Sequence, residues 1–102
     1  MDLPTLDQPM KPAFTLADRN TMRDRLQQAD HTLAQAHAED RNPASRERLE
    51  FAHAAVRDAL REVSDNGDAG VILIALEEVG IGDLSATAAR DIEAVRAICR
   101  AL

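Results

Sequence analysis

The chain has 102 residues, enough for one domain with a single core, and its 45% hydrophobic and 29% charged residues are typical of a folded protein. Its net charge of −6 argues against nucleic acid as a partner, because binding phosphates needs a basic surface. The longest apolar run has six residues and is too short to cross a membrane.

Aliphatic residues must supply most of the core, because the chain has no Trp or Tyr and only two Phe. Ala, Leu, Arg and Glu are common, and all four favour helices. We therefore predict an all-α fold. It consists of a long antiparallel helical hairpin and two shorter helices, all within residues 15–102, preceded by an extended arm over residues 1–14.

The arm is predicted from proline. Residues 1–14 contain three of the four prolines, and proline removes amide donors and keeps the preceding residue extended. Apolar residues recur at positions 3, 6, 10 and 14. Two interpretations stay open. Residues 1–14 are either a terminus without fixed structure or an arm that lies along a groove of this protein or of a partner subunit. In the second interpretation, Phe14 would contact the groove.

The first long helix should begin after Thr15, because Thr15 and Asp18 have the spacing of a capping box with Asp in place of Glu. It should run to about Asp40. Apolar residues follow at alternating intervals of four and three, which predicts one buried seam along this helix. The seam residues are Met22, Leu26, Ala29, Leu33 and Ala36.

The second long helix should begin at Asn42-Pro43, since Asn is a good cap and Pro is favoured at the first helical position. It should run to about Ser64. The short link predicts that the two long helices fold back on each other. The seam residues of this helix are Leu49, Ala52, Val56, Ala59, Leu60 and Val63. Phe51 lies off this seam and indicates a second contact surface.

Residues 71–76 are all apolar, which predicts a segment with no solvent face that other elements must cover. The β-branched residues in this run also permit a strand. We favour a helix from about Asp68 to Val79, because the chain offers no second strand to satisfy the backbone hydrogen bonds. Asp68 would cap this helix, and Gly67 or Asn66 would end the preceding one.

Gly80 and Gly82 mark a tight connection, after which Ser85 should cap a fourth helix that reaches the end of the chain. Its apolar face is Ala88, Ile92, Val95, Ile98, Cys99 and Leu102. The last two helices and their turn are similar to a helix-turn-helix, so a DNA-binding transcriptional regulator is the alternative function. The acidic residues beside the turn argue against it.

No pattern predicts a catalytic, cofactor or metal site, and we predict that the protein is not an enzyme. His31 and His37 are six residues apart and diverge on a helix, although His53 can approach His37 or Asp30 across the hairpin. The single cysteine, Cys99, is expected to be a buried thiol. One cysteine and no recognisable signal peptide predict a cytoplasmic protein.

Five acidic residues and no basic residue lie between positions 65 and 84, either as solvated helix ends or as a patch for an Arg-rich partner. We expect a small protein-interaction module that binds and regulates a partner protein by inhibition, chaperoning or antiactivation. Hairpin seam left uncovered by the shorter helices, or the Phe51 side of the second helix, would form the interface of a homodimer built on the two long helices. The residues predicted to contact partners are Phe14, Leu26, Leu33, Phe51, Asp68, Glu77, Glu78 and Asp83.

Overall fold

The structure is a computed structural model that describes residues 15–65, 67–80, 82 and 84–102. This part of the chain contains four α-helices and no strand, as the sequence predicts. The helices are α1 (Leu16–Glu39), α2 (Pro43–Asp65), α3 (Ala69–Glu77) and α4 (Ala86–Ala101). The predicted arm over residues 1–14 lies outside the described residues.

Each helix begins where the sequence places a capping residue. A side-chain oxygen just before the helix accepts a hydrogen bond of 2.8–3.3 Å from a backbone N–H of the first turn, which would otherwise lack a partner. The capping residues are Thr15, Asn42, Asp68 and Ser85. α2 ends near Gly67, which has a φ of 70° and donates its N–H to the carbonyl of Glu62.

The four helices form a ring in which each helix packs against two neighbours. α1 and α3 lie on opposite sides, and each packs against both α2 and α4. With links this short, the arrangement is an up-and-down bundle. The predicted seams of α1, α2 and α4 form its core, so those predictions are confirmed. The largest fully buried side chains are Met22, Leu26, Leu33, Val56, Val63, Ile72, Leu76, Ile92, Val95 and Cys99.

The far end of the α1–α2 hairpin contributes little to this core, where only the partly buried Ala36 packs against it. No residue between Leu33 and Leu49 is buried, because α3 and α4 are shorter than the hairpin they cover. The residues at this end are mostly small or polar. The uncovered part of the hairpin therefore does not present the large apolar side chains expected of a leftover seam.

The apolar run 71–76 is helical, as favoured from the sequence, but the prediction that it has no solvent face is wrong. Ile72 and Leu76 are fully buried, whereas Val71 is 47% exposed and Ile74 is 66% exposed. The reason is that α3 packs only against α2 and α4, which cover one side of it. Its opposite side is left open among the described residues.

Candidate functional site

The most exposed aliphatic surface within the helices is the outer side of α3. Val71 and Ile74 are three residues apart, so their side chains are neighbours on one side of this helix. On the other side Ala69, Ile72 and Leu76 are buried in the core. α3 is therefore apolar nearly all round, a pattern typical of helices covered on every side.

An acidic residue lies at each end of this apolar pair. Asp68 precedes Val71 by three residues, and Glu78 follows Ile74 by four, so all four belong to one stripe along the helix. All four are exposed. Asp68 Oδ1 accepts hydrogen bonds from the N–H groups of Gly70 and Val71, at 2.8 and 3.3 Å. Asp68 thus starts α3 and also places a negative charge at the edge of the apolar surface.

Glu77 points away from this stripe toward α4. Its Oε2 accepts a hydrogen bond from Arg100 Nη2 at 2.5 Å, and Arg100 Nη1 lies 3.6 Å from Glu93 Oε2. The hydrogen bond from Arg100 lowers the pKa of the Glu77 carboxyl and raises that of the guanidinium. The charge of Glu77 is therefore matched within the chain, and Glu77 belongs to the contact between α3 and α4.

Arg96 fastens the end of α3 to α4. Its side chain is only 8% exposed, and its Nη2 donates to the carbonyls of Leu76 and Val79, at 2.5 and 2.9 Å. Its Nη1 donates to Glu93 Oε1 at 3.0 Å. The Leu76 carbonyl belongs to the last turn of α3, whose carbonyls lack partners within the helix, and Val79 lies two residues beyond its end. Arg96 is therefore a structural residue that determines where α3 ends.

Phe51 forms a second exposed apolar feature, as its position off the α2 seam indicates. The residue is 52% exposed. It lines an open cavity of about 340 Å³ together with Glu47, Arg48, Ala52, Gly80 and Leu84. The cavity lies between α2 and the connection from α3 to α4. Phe51 is thus an exposed aromatic residue on α2, next to the connection between α3 and α4.

The histidines of the hairpin pair with carboxylates of the opposite helix. His37 Nε2 lies 3.0 Å from Glu50 Oε2, and His53 Nε2 contacts Asp30 Oδ1. The second pair is one of the two approaches that the sequence left open. Within the described residues, no three His, Cys, Asp or Glu side chains converge closely enough to hold a metal ion. The two pairs link α1 to α2.

The structure separates the residues predicted to contact partners into three groups. Phe51, Asp68, Glu77 and Glu78 are exposed. Leu26 and Leu33 are 0% and 1% exposed, so placing them on a partner surface was wrong: α3 and α4 complete the bundle and bury the seam. The remaining two, at positions 14 and 83, lie outside the described residues.

Sequence reasoning missed Val71 and Ile74, the two exposed residues at the centre of the site. Six apolar residues in a row carry no periodicity, so nothing in the run itself marks which side faces water. The flanking acids Asp68 and Glu78 were the available signal. They lie ten residues apart, one just before α3 and one just after it, and so at the two ends of the helix that carries the apolar pair.

Comparisons with protein-family models, curated proteins and solved structures give no match. None of the described helices has both the length and the apolar character needed to cross a bilayer. The function must therefore be argued from the surface of the chain itself.

Proposed function

We propose that this chain is a small protein-interaction module that binds and regulates a partner protein through the outer side of α3. The observation that supports this is the pair Val71 and Ile74, exposed on a helix whose opposite side is buried in the core. Neighbouring exposed aliphatic residues with a polar rim are typical of protein-binding surfaces.

The size of the expected interaction indicates that the interface is larger than α3. Burying the parts of Val71 and Ile74 that are still exposed contributes roughly 2–3 kcal/mol together, because 47% of one and 66% of the other face water. Micromolar binding needs about 8 kcal/mol, and association also has an entropic cost. Other side chains must contribute. Phe51 is half exposed on α2, the helix beside α3, and is the best-placed aromatic residue to extend the interface.

Two observations favour this proposal over the DNA-binding alternative. Eight residues, 78–85, connect α3 to α4, whereas a helix-turn-helix has a turn of about three or four residues. Arg96, one of two arginines that a recognition helix would need, is buried against the end of α3. Of those two, only Arg90 stays exposed.

A homodimer built on α1 and α2 remains a prediction. Leu26 and Leu33 are buried within one chain, so the hairpin seam does not supply its interface. The Phe51 side of α2 is 52% exposed and is the part of the predicted dimer surface that stays open.

The proposal is tested by partner capture from the native host with two matched variants. Ile74→Asp places a charge on the proposed surface, and Leu16→Asp places one on a 72% exposed leucine at the start of α1. We expect the same partner with the unmodified chain and with Leu16→Asp, and its loss with Ile74→Asp. Capture that is unchanged by Ile74→Asp, or equally reduced by both variants, would contradict the proposal.

A further inference from the structure

The charges around the proposed binding surface have one sign. Asp68 and Glu78 bracket Val71 and Ile74 along α3, and the two carboxylates are about 15 Å apart along the helix axis. The side chain of Glu78 makes no hydrogen bond or ion pair with any described residue. Asp65 adds a third exposed carboxylate just before α3.

Among the described residues, the bases near those two ends are paired with other carboxylates. Arg96 reaches the carbonyl of Val79, beside Glu78, but is paired with Glu93 at 3.0 Å. The sequence has no Lys or Arg between positions 65 and 84. Arg100, which reaches α3 from α4, is paired with Glu77 and Glu93. Arg61, near the end of α2, is paired with Asp58 at 3.3 Å. The apolar pair is therefore bounded by negative potential at both ends.

From this pattern we infer that the occupant of the α3 surface is a basic amphipathic helix of another protein. Such a helix places two neighbouring apolar side chains against Val71 and Ile74, with Arg or Lys about 15 Å apart opposite Asp68 and Glu78. Arg suits these positions especially well, because its guanidinium pairs with a carboxylate through two parallel hydrogen bonds. The inference rests on the proposed function and names the chemistry of its partner.

A second copy of this chain does not have that chemistry. If two α3 helices met antiparallel across a two-fold axis, Asp68 of each would face Glu78 of the other. If they met parallel, each carboxylate would face its own counterpart. Acid meets acid in both cases, which is unfavourable at an interface. Nucleic acid and anionic lipid are disfavoured for the same reason.

The experiment selects helical peptides from a phage-displayed library on the folded full chain, with prior depletion on the Ile74→Asp chain. We expect the recovered peptides to carry a neighbouring apolar pair with Arg or Lys at both ends. Replacing both bases by Glu in a recovered peptide should weaken binding by about tenfold, since each exposed ion pair changes affinity by up to roughly fivefold. Raising the salt from about 0.1 to about 1 M should also weaken it, because the screening length falls from about 10 to about 3 Å.

Charge reversal on the protein gives the matched control. Glu78→Arg should weaken binding of the basic peptide by about three- to fivefold and improve binding of its Glu-substituted form. Glu39→Arg reverses an exposed acid at the far end of α1 and should change neither. Circular dichroism of both variants confirms that they are folded.

The remaining outcomes separate this inference from the proposed function. If the recovered peptides lack basic ends and their binding is still lost with Ile74→Asp, the inference of a basic partner is wrong, whereas the proposed interaction module is retained. Self-association of the chain that is lost with Ile74→Asp would also contradict the inference, because the occupant of the α3 surface would then be a second copy of this chain. No enrichment beyond the depleted library would overturn it as well. The proposed function is contradicted by a different result, namely that Ile74→Asp does not change the capture of a partner from the native host.

Discussion

At the scale of single residues, the least expected feature is the burial of charge on α4. Asp91 and Arg96 are 2% and 7% exposed. Asp91 Oδ1 accepts a hydrogen bond from Arg25 of α1 at 3.0 Å, and Arg96 donates to the backbone at the end of α3. A buried charge is tolerated only when it is paired or hydrogen-bonded. These two residues therefore position α4 relative to the helices on either side of it.

Arg96→Met is the direct test of this role, because methionine keeps much of the apolar stem and removes the guanidinium. The carbonyls of Leu76 and Val79 lose a charged donor, which should lower the free energy of unfolding by roughly 1.5–3 kcal/mol. Urea denaturation followed by circular dichroism measures the loss. The exposed Arg90→Met is the control, with an expected change within about 0.5 kcal/mol. Equal stability of the two variants would contradict the role given to Arg96.

The Glu77–Arg100 pair predicts a pH dependence of stability. The pKa of Glu77 is lowered from its usual 4.5 by the hydrogen bond from Arg100, so its stabilising effect is present above that pH. The effect is lost as the pH falls through the lowered pKa. Glu77→Gln should therefore be less stable than the unmodified chain at neutral pH, and the two should converge once the pH lies well below the lowered pKa.

Urea midpoints measured across this pH range test the prediction, and Arg100→Gln provides the control. In that background the Glu77→Gln substitution should no longer change the pH dependence, because the hydrogen-bond donor is absent. The difference is expected to be small, since both side chains are about half exposed and are screened by water. A gap between Glu77→Gln and the unmodified chain that widens toward acid pH would contradict the assignment.

At the scale of elements, α3 is the helix that depends most on its surroundings. It has only nine residues, too few for a stable isolated helix in water. Three of its residues are buried, Asp68 caps its start, and Arg96 binds its end. These contacts come from the neighbouring helices and from the turn before it. Its outer side contributes nothing to stability among the described contacts and is available for binding.

Aspartate substitution on the two sides of α3 should separate folding from binding. Ile72 is fully buried, so Ile72→Asp places an unpaired carboxylate in the core and should remove more than about 4 kcal/mol of stability, enough to unfold a small domain. Ile74→Asp adds the same group on the exposed side and should leave the helical circular dichroism and the urea midpoint nearly unchanged. Unfolding by both substitutions would mean that the outer side of α3 is needed for the fold.

At the scale of the whole molecule, the exposed aliphatic pair lies on the shortest helix, while single exposed apolar residues, Leu16 and Phe51, lie on α1 and α2. The hairpin of α1 and α2 is covered by α3 and α4, and its far end carries no buried residue. The excess of acidic residues lies beside α3. Association of the folded chain through the outer side of α3 therefore takes place where like charges meet.

We accordingly expect no dimer through α3 in sedimentation experiments at low salt, where repulsion between the acidic ends of α3 is strongest. A dimer at low salt that is lost in Ile74→Asp would contradict this. A dimer that persists in Ile74→Asp would place the interface elsewhere. The α1–α2 hairpin, which the sequence predicts as the dimer surface, would then be the first region to examine.

The sequence by itself determined the helices, because the signals that start and stop a helix are local. Thr15, Asn42, Asp68 and Ser85 satisfy backbone N–H groups two or three residues away, so their effect can be predicted without knowing the fold. The seams of α1, α2 and α4 were predictable as well, because charged residues alternate with apolar ones at a helical period.

Only the tertiary structure decided which side of α3 faces water. Val71 and Ile72 are adjacent and nearly equal in hydropathy, yet one is 47% exposed and the other is fully buried. The difference depends on where α2 and α4 lie, and those positions follow from contacts between distant residues, such as Arg96 with the carbonyl of Leu76. The candidate site could not be predicted for the same reason, since it is the side of α3 that no other described helix covers.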